Sequence, residues 1–451
     1  MSDELFRPIF VPDRFREAVG GRAWLQAMLD AEAALAVAEA RVGLIPTEAA
    51  EAIAGCCNAD RFDPEEIGRD GRATGLPVVP LVRALTEAVS EVSEDAGRYV
   101  HKGSTSQDIT DTAAMLIARR TLDLIVAEVN AVAAACARLA DEHRATLMAG
   151  RTLLQQALPT TFGLKAAGWL VAVLEARQRL LTVRDSRLAA QFGGAAGTLA
   201  SLSPDGLRVL PEFARELGLA EPVVPWHTAR LRVAELGSVL TLLAGVLNKL
   251  ALDVILMGQT EVGEVAEPSG GGRGGSSTLP HKRNSVGAIL AAACARRVQP
   301  LTQTLQAAMA QEHERAAGAW HSEWEALSEA LALTSGAAAA VREVTEGLQV
   351  YPDRMRENLD ATRGLLLAEN VTTILSERLG RLKAHDLVKA ASHRALNRGT
   401  SLREELLAER ALRELLSAEE IDATLDPACY LGSAEAFVER ALDLYRKEGM
   451  A

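Results

Sequence analysis

A pair of serines, a lysine and an asparagine close a glycine-rich stretch at residues 269–285, SGGGRGGSSTLPHKRNS. Glycine leaves the backbone dihedrals unrestricted, and helix-forming sequence lies on both sides. A flexible loop let into stiff elements is more often a lid than a spacer. A solvated linker is the other reading of this composition, but it has no use for a compact run of hydroxyl, ammonium and amide donors. Such a run suits closure on an anionic substrate. A second stretch, YVHKGSTSQDITDT at 99–112, places Thr105, Ser106 and Asp108 where a long helical pattern begins. Hydroxyls and unpaired amides there form either an ordinary N-cap or a carboxylate pocket backed by the helix dipole. His101, just before it, is a donor to that anion or a satisfied turn histidine. A third stretch, GRTLLQQALPTTFG at 150–163, sets Gln155 and Gln156 ahead of a proline and a hydroxyl-capped helix start. Polar amides among leucines at such a break fit a lined pocket or plain helix-end hydrogen bonding.

The elements that must carry these residues are helical. Alanine, leucine, glutamate and arginine dominate, and aromatics make up only 4% of the 451 residues, a composition that favours helix. Residues 14–42 carry Trp24, Met28, Leu35 and Val42 near helical spacing, with stops at Gly43 and Pro46. A further helix is expected at 81–97. From about 107 the patterns lengthen, with long helices expected at 107–145, 160–192, 229–258, 286–316 and 322–348, lengths that pack as a bundle. Their apolar faces exceed what one chain's bundle buries, so a homo-oligomer is expected. The chain divides into an N-terminal helical domain (1–106), a central long-helix bundle (107–350) and a C-terminal helical domain (351–451): an all-α fold.

The formal charge of −12 argues against nucleic-acid binding, although a local positive pocket survives it. No apolar run reads as long enough to span a bilayer, and the N-terminus shows no export signal, so no membrane partner and a cytoplasmic location are expected. The five cysteines lack metal or disulfide spacing and read as buried free thiols. Neither a metal nor another cofactor is expected.

The loop at 269–285 resembles the signature of the fumarase/aspartase superfamily, Gly-Ser-Ser-x-Met-Pro-x-Lys-x-Asn, with Leu279 for the usual methionine. Residues 101–112 and 150–163 are similar to that superfamily's first and second motifs. The resemblance extends over nearly the whole chain, including 259–268 (QTEVGEVAEP), 311–315 (QEHER) and 425–432 (LDPACYLG). Within the superfamily, YVHKGSTSQD, SSTLPHKRN and QEHERAAGAWHSEWE look most like the bacterial 3-carboxy-cis,cis-muconate cycloisomerases.

The resemblance implies a homotetramer with a twenty-helix core and active sites that take the three motifs from three subunits. It implies a small di- or tricarboxylate substrate and chemistry at the carbon β to a carboxylate, through an aci-carboxylate intermediate. Ser276 would transfer the proton, and Lys282 and Asn284 would hold the doubly charged carboxylate. His101, Thr105 and Ser106 would hold another carboxylate, and Gln155, Gln156 and Arg315 would complete the substrate-binding set.

Gln156 stands where relatives often carry a histidine that helps protonate a leaving group. Glutamine cannot donate that proton, so a departing group that leaves as a stable anion is favoured. A lactone carboxylate meets that condition, and so does nitrite from nitrosuccinate. Gly75-Leu76-Pro77 replaces the Gly-Asn-Ser usual in cycloisomerase-type relatives. Adenylosuccinate is disfavoured because Trp320 and Trp324 stand where a serine and an arginine would meet its phosphate.

Overall fold

The computed structural model describes residues 5–268, 275, 279 and 282–449. Five long helices dominate it: α1 (Ser106–Glu142), α2 (Phe162–Ser186), α3 (Leu231–Met257), α4 (Val286–Ala307) and α5 (Ala319–Glu346). All five begin within three residues of the expected positions. α4 stops nine residues before the expected 316. Beyond it the apolar period lapses, and side chains claim the backbone: the Glu312 carboxylate accepts the Ala317 N–H at 2.9 Å, while His313 takes a left-handed φ of 46°.

The chain forms two compact units. The first comprises Met1–Val129, Glu175–Lys249 and Leu290–Val341; the second comprises Asn130–Leu174, Leu250–Ile289 and Arg342–Ala451. Each long helix contributes residues to both.

In the first unit the expected helix at 14–42 divides at Val19-Gly20 into Asp13–Ala18 and Gly21–Arg41. The longer piece buries Leu25, Leu29 and Leu35 against Thr47–Cys56 and Gly206–Leu217. It ends at Gly43, whose φ of 81° lets the Leu44 N–H turn back to the Glu39 carbonyl at 2.9 Å, as a left-handed helix stop requires. The helix expected at 81–97 is Val78–Val92 followed by a separate turn, Glu94–Gly97, capped by Ser93.

The second unit contains an element that the all-helical expectation lacks. β1 (Leu147–Thr152) and β2 (Gln155–Thr161) form an antiparallel hairpin, so Gln155 and Gln156 lie on a strand that leads into the expected helix start, where the Thr161 hydroxyl accepts the Leu164 N–H at 3.1 Å. The two turn residues, Leu153 and Leu154, have φ of 50° and 65° and are 97% and 77% exposed. A turn of this hand ordinarily takes Asn-Gly, which is why the sequence gives no hairpin signal. β3 (Val265–Ala266) pairs with β4 (Gln349–Val350). Toward the C-terminus, Ala368–Leu379, Arg381–Arg398 and Leu402–Ala408 pack around Val371, Leu375, Val388, Leu402 and Leu406. Capping boxes at Ser401/Glu404 and Ser417/Glu420 start two of the short helices there.

Two expectations are corrected. α3 is long and apolar enough to cross a membrane by length and composition, with an 18-residue window of mean hydropathy 2.0, of which 44% is buried within the chain. Lys249 and Asp253 interrupt the run near its end and hide its length from a scan for uncharged residues. The core helix of a bundle meets the same criterion. Among the cysteines, Cys56, Cys136 and Cys294 are buried, but Cys429 is exposed in the 3₁₀ turn Pro427–Cys429, not in a helix.

Candidate active site

At the start of α1 the helix supplies its own anion. The Asp108 carboxylate is fully buried and accepts the Thr105 N–H at 3.0 Å and the Gly193 and Gly194 N–H groups at 3.0 and 2.9 Å. His227 Nε2 lies 2.7 Å away. A side chain at 193 would run into Pro225 and His227 at under 3 Å, so only glycine brings those amides to the carboxylate. Part of the expected anion site is therefore filled from within. The first-turn amides of Ser106 and Gln107 have no helical acceptor and, with the Thr105 and Ser106 hydroxyls, remain as donors on this edge.

His101 has a φ of 59°. Its Nδ1 lies 2.6 Å from Glu32 Oε1 and 2.9 Å from Ser104 Oγ. Burial works against charge on this imidazole, but the Glu32 carboxylate, its hydrogen bond and Asp108 outweigh that and raise the pKa above the ordinary histidine value. Lys102 donates to the Leu44 carbonyl at 3.0 Å.

One helical heptad from Glu32, Glu39 is fully buried, and neither carboxyl oxygen has a partner among the described residues. Burial, partly opposed by Lys102, pushes its pKa from 4.5 to about 8. Between those values the native state keeps a proton that the unfolded chain has released, so this group makes stability fall as pH rises through the window. Glu39→Gln should remove that dependence and stabilise the protein near pH 8 by ~3–5 kcal/mol, with little change near pH 5. Urea midpoints at the two pH values read this; equal gains at both would mean that Glu39 titrates normally.

Behind the first turn of α1 lies a buried polar cluster. Arg230 donates to both Asp111 oxygens at 2.7 and 2.9 Å and through Nε to Glu323 at 3.0 Å. Its guanidinium also stacks on Trp226. Burial raises the Glu323 pKa despite Arg230. The Trp320 indole N–H, almost wholly buried, donates to Asp111 at 2.9 Å. Gln107 donates to the His227 carbonyl at 2.8 Å and accepts from Arg315 at 3.1 Å. Arg315 also donates to the Ala195 carbonyl at 2.9 Å. The first unit thus brings His101, Thr105, Ser106 and Arg315 together around the start of α1.

The remaining candidates belong to the second unit. Gln156 donates to the Asn358 carbonyl at 2.9 Å, while its own carbonyl oxygen is buried without a partner among the described residues. Gln155 is exposed opposite Thr152. The hairpin is anchored by Arg151, which grips fully buried Glu264 with two bonds at 2.9 and 2.7 Å. Asn358 Nδ2 also donates to Glu264, at 2.9 Å. Lys282 is exposed and Asn284 half-buried. Glu267 caps α4 by accepting the Gly287 and Ala288 N–H groups at 2.9 and 2.8 Å. Ser276 lies outside the described residues.

Sequence reasoning missed Glu32, His227, Arg230, Glu264 and Glu267. The available signal was a charged residue set singly in an apolar run, as in Glu32 within AEAALAVAEA. A buried ionisable group is costly unless paired. No group of three or more histidine, cysteine, aspartate or glutamate side chains among the described residues could hold a metal ion.

The model of a lyase family matches residues 11–300, and that of the adenylosuccinate lyase C-terminus matches residues 364–441. The chain is 47% identical to the 3-carboxy-cis,cis-muconate cycloisomerase of Bradyrhizobium diazoefficiens, with 98% of each covered. It is 46% identical to the nitrosuccinate lyase of Streptomyces davaonensis, covering 97% of this chain and 94% of that one. The crystal structure of the 3-carboxy-cis,cis-muconate lactonizing enzyme of Pseudomonas putida superposes with a TM-score of 0.94 at 45% identity. That match covers 98% of this chain and 99% of the other.

Proposed function

Because the chain belongs to the lyase family of the fumarase/aspartase superfamily, we propose that it is a 3-carboxy-cis,cis-muconate cycloisomerase in the degradation of aromatic compounds. A carboxylate of the substrate adds to the double bond and closes a lactone ring, and the adjacent carbon takes a proton. The product is γ-carboxymuconolactone. In either direction the carbon–hydrogen bond is made or broken next to an ionised carboxylate, which acquires a second negative charge in the aci-carboxylate intermediate. Donors fixed on that group are the main catalytic requirement, each worth ~3–4 kcal/mol in comparable oxyanion sites. Lys282 and Asn284 supply them, and Ser276 moves the proton. His101, Thr105 and Ser106 bind another carboxylate, with Gln155, Gln156 and Arg315 completing the pocket.

The observation that carries the cycloisomerase reading is Gln156. Its amide N–H is committed to the Asn358 carbonyl, and an amide cannot act as a general acid at neutral pH. A carboxylate enters or leaves without protonation, so lactone closure needs no acid there. The same residue favours a second reading, β-elimination of nitrite from nitrosuccinate to give fumarate. Purified protein mixed with 3-carboxy-cis,cis-muconate should bleach the diene's ultraviolet absorbance. No change at high enzyme concentration, with nitrite and fumarate released from nitrosuccinate, would establish the second reading instead.

The working enzyme is a cytoplasmic homotetramer on a twenty-helix core, with each site assembled from three subunits. Two features support assembly. α3 is far more apolar than its burial within one chain explains. The hairpin tip exposes two leucines in a left-handed turn, an arrangement costly in water unless a neighbour covers it. Each chain comprises an N-terminal domain (1–106), a central bundle (107–350) and a C-terminal domain (351–451). The separate family match at 364–441 supports the last of these.

A further inference from the structure

We propose that Glu32 is a positioning residue for this reaction, holding His101 in the orientation and charge state in which its free edge receives a substrate carboxylate. The inference rests on the reading of His101 as a carboxylate ligand and adds the group behind it. Glu32 is 1% exposed, and its Oε1 lies 2.6 Å from His101 Nδ1. Its Oε2 is buried without a partner among the described residues. A carboxylate so placed among Ala31, Ala34 and Leu35, all buried, is costly unless a cation faces it. His101 is the cation within hydrogen-bond reach.

The backbone of His101 is left-handed, a conformation that costs a non-glycine residue ~1–2 kcal/mol and is kept where surrounding contacts demand it. With Nδ1–H bound to Glu32, Nε2 is the remaining edge, no described residue hydrogen-bonds to it, and the ring is 19% exposed. A protonated imidazole there presents one N–H and one positive charge, the requirements of a ground-state carboxylate site.

The groups that set this charge come from each packed element. Glu32 and Glu39 lie on Gly21–Arg41, Lys102 and Ser104 flank the histidine, and Asp108 lies on α1. Cys57, close to Glu32, is held as the neutral thiol by burial. Glu32 is the only carboxylate of these bonded to the ring.

Glu32→Gln keeps the acceptor and the shape but removes the charge. Carbon-13 titration of histidine-labelled protein, assigned with His101→Gln, should show the His101 pKa falling by about one unit or more. The KM for carboxymuconate should rise about tenfold near pH 8 with kcat within about threefold, and the rise should shrink near pH 6 as the ring reprotonates. Glu32→Asp, charged on a shorter stem, should keep most of the pKa elevation and serves if the amide variant does not fold. An unchanged His101 pKa in Glu32→Gln overturns the proposal, and so does a lowered pKa with an unchanged KM at every pH. The titration needs no substrate, so failure of the carboxymuconate reading, seen as absent wild-type turnover, is separable from failure of the Glu32–His101 coupling.

Discussion

Ser276→Ala is expected to lower kcat by about 10²–10⁴ with KM little changed and the light-scattering mass unaltered. A serine hydroxyl is a poor base at its ordinary pKa. It becomes one only where a cation and fixed amides stabilise its alkoxide and water is excluded. On the proposed assignment that setting comes from Lys282, six residues on in sequence, and Asn284, two further. Removing the hydroxyl leaves the carboxylate clamp in place, so ground-state binding survives and the loss falls on the proton-transfer step. A parallel fall in kcat and a rise in KM would point to a loop that no longer closes. Unchanged turnover would sink the serine assignment outright and move the search to another residue of 269–285.

The largest expected effect on stability comes from Arg230→Met. Arg230 lies between Asp111 and Glu323, all three nearly inaccessible to solvent. Methionine fills similar space but leaves two buried carboxylates facing each other. Breaking a buried pair in this way costs about 3–5 kcal/mol, and here one cation serves two anions. Adding Glu323→Gln should restore part of the loss, because it replaces a buried charge with a neutral group that can still bond to Gln311. Urea unfolding at fixed protein concentration checks both, concentration being fixed because any self-association would add to apparent stability. A single variant within about 1 kcal/mol of wild type would mean that the cluster is solvated or proton-sharing rather than a closed ion network. Catalysis should suffer as well, since Asp111 also receives Gln107, which holds Arg315.

Much of the fold was legible because it obeys local rules. Long alanine-rich periods gave the five main helices, and Gly43 marked the stop of an earlier one by the left-handed turn it adopts. The failures have equally specific causes. The hairpin at 147–161 was invisible because its turn is Leu-Leu and its second strand contains Pro159, both contrary to strand and turn preferences. α4 ran too far in expectation because alanine content continued after partners for a helical stripe had ended.

For the candidate site, sequence offers residue types only. The hydroxyls, lysine and asparagine that chemistry needs stand at the chain's exceptional places, where glycines and helix starts interrupt the apolar period. What pattern could not give is who bonds to whom. Residues 105–108 read as either an ordinary N-cap or a carboxylate pocket, and the Asp108 carboxylate itself accepts the Thr105, Gly193 and Gly194 N–H groups. Trp320 read as a substrate-facing residue, but its indole is bonded inward to Asp111. Glu32 drew no reading at all, because a pairing between residues 32 and 101 leaves no trace in local sequence.

α3 has a consequence for how the protein is made. A stretch with mean hydropathy 2.0, less than half of it covered by its own chain, matches what the membrane-insertion machinery of a cell reads as a spanning segment. A core helix of a bundle meets the same criterion, so what separates the two fates is whether the helix is covered in time. The helix emerges after more than two hundred residues have already been synthesised, when much of the first unit's sequence is available to fold around it. Slow folding would be felt first as misrouting and aggregation of newborn chains, before any change in the chemistry of the finished enzyme.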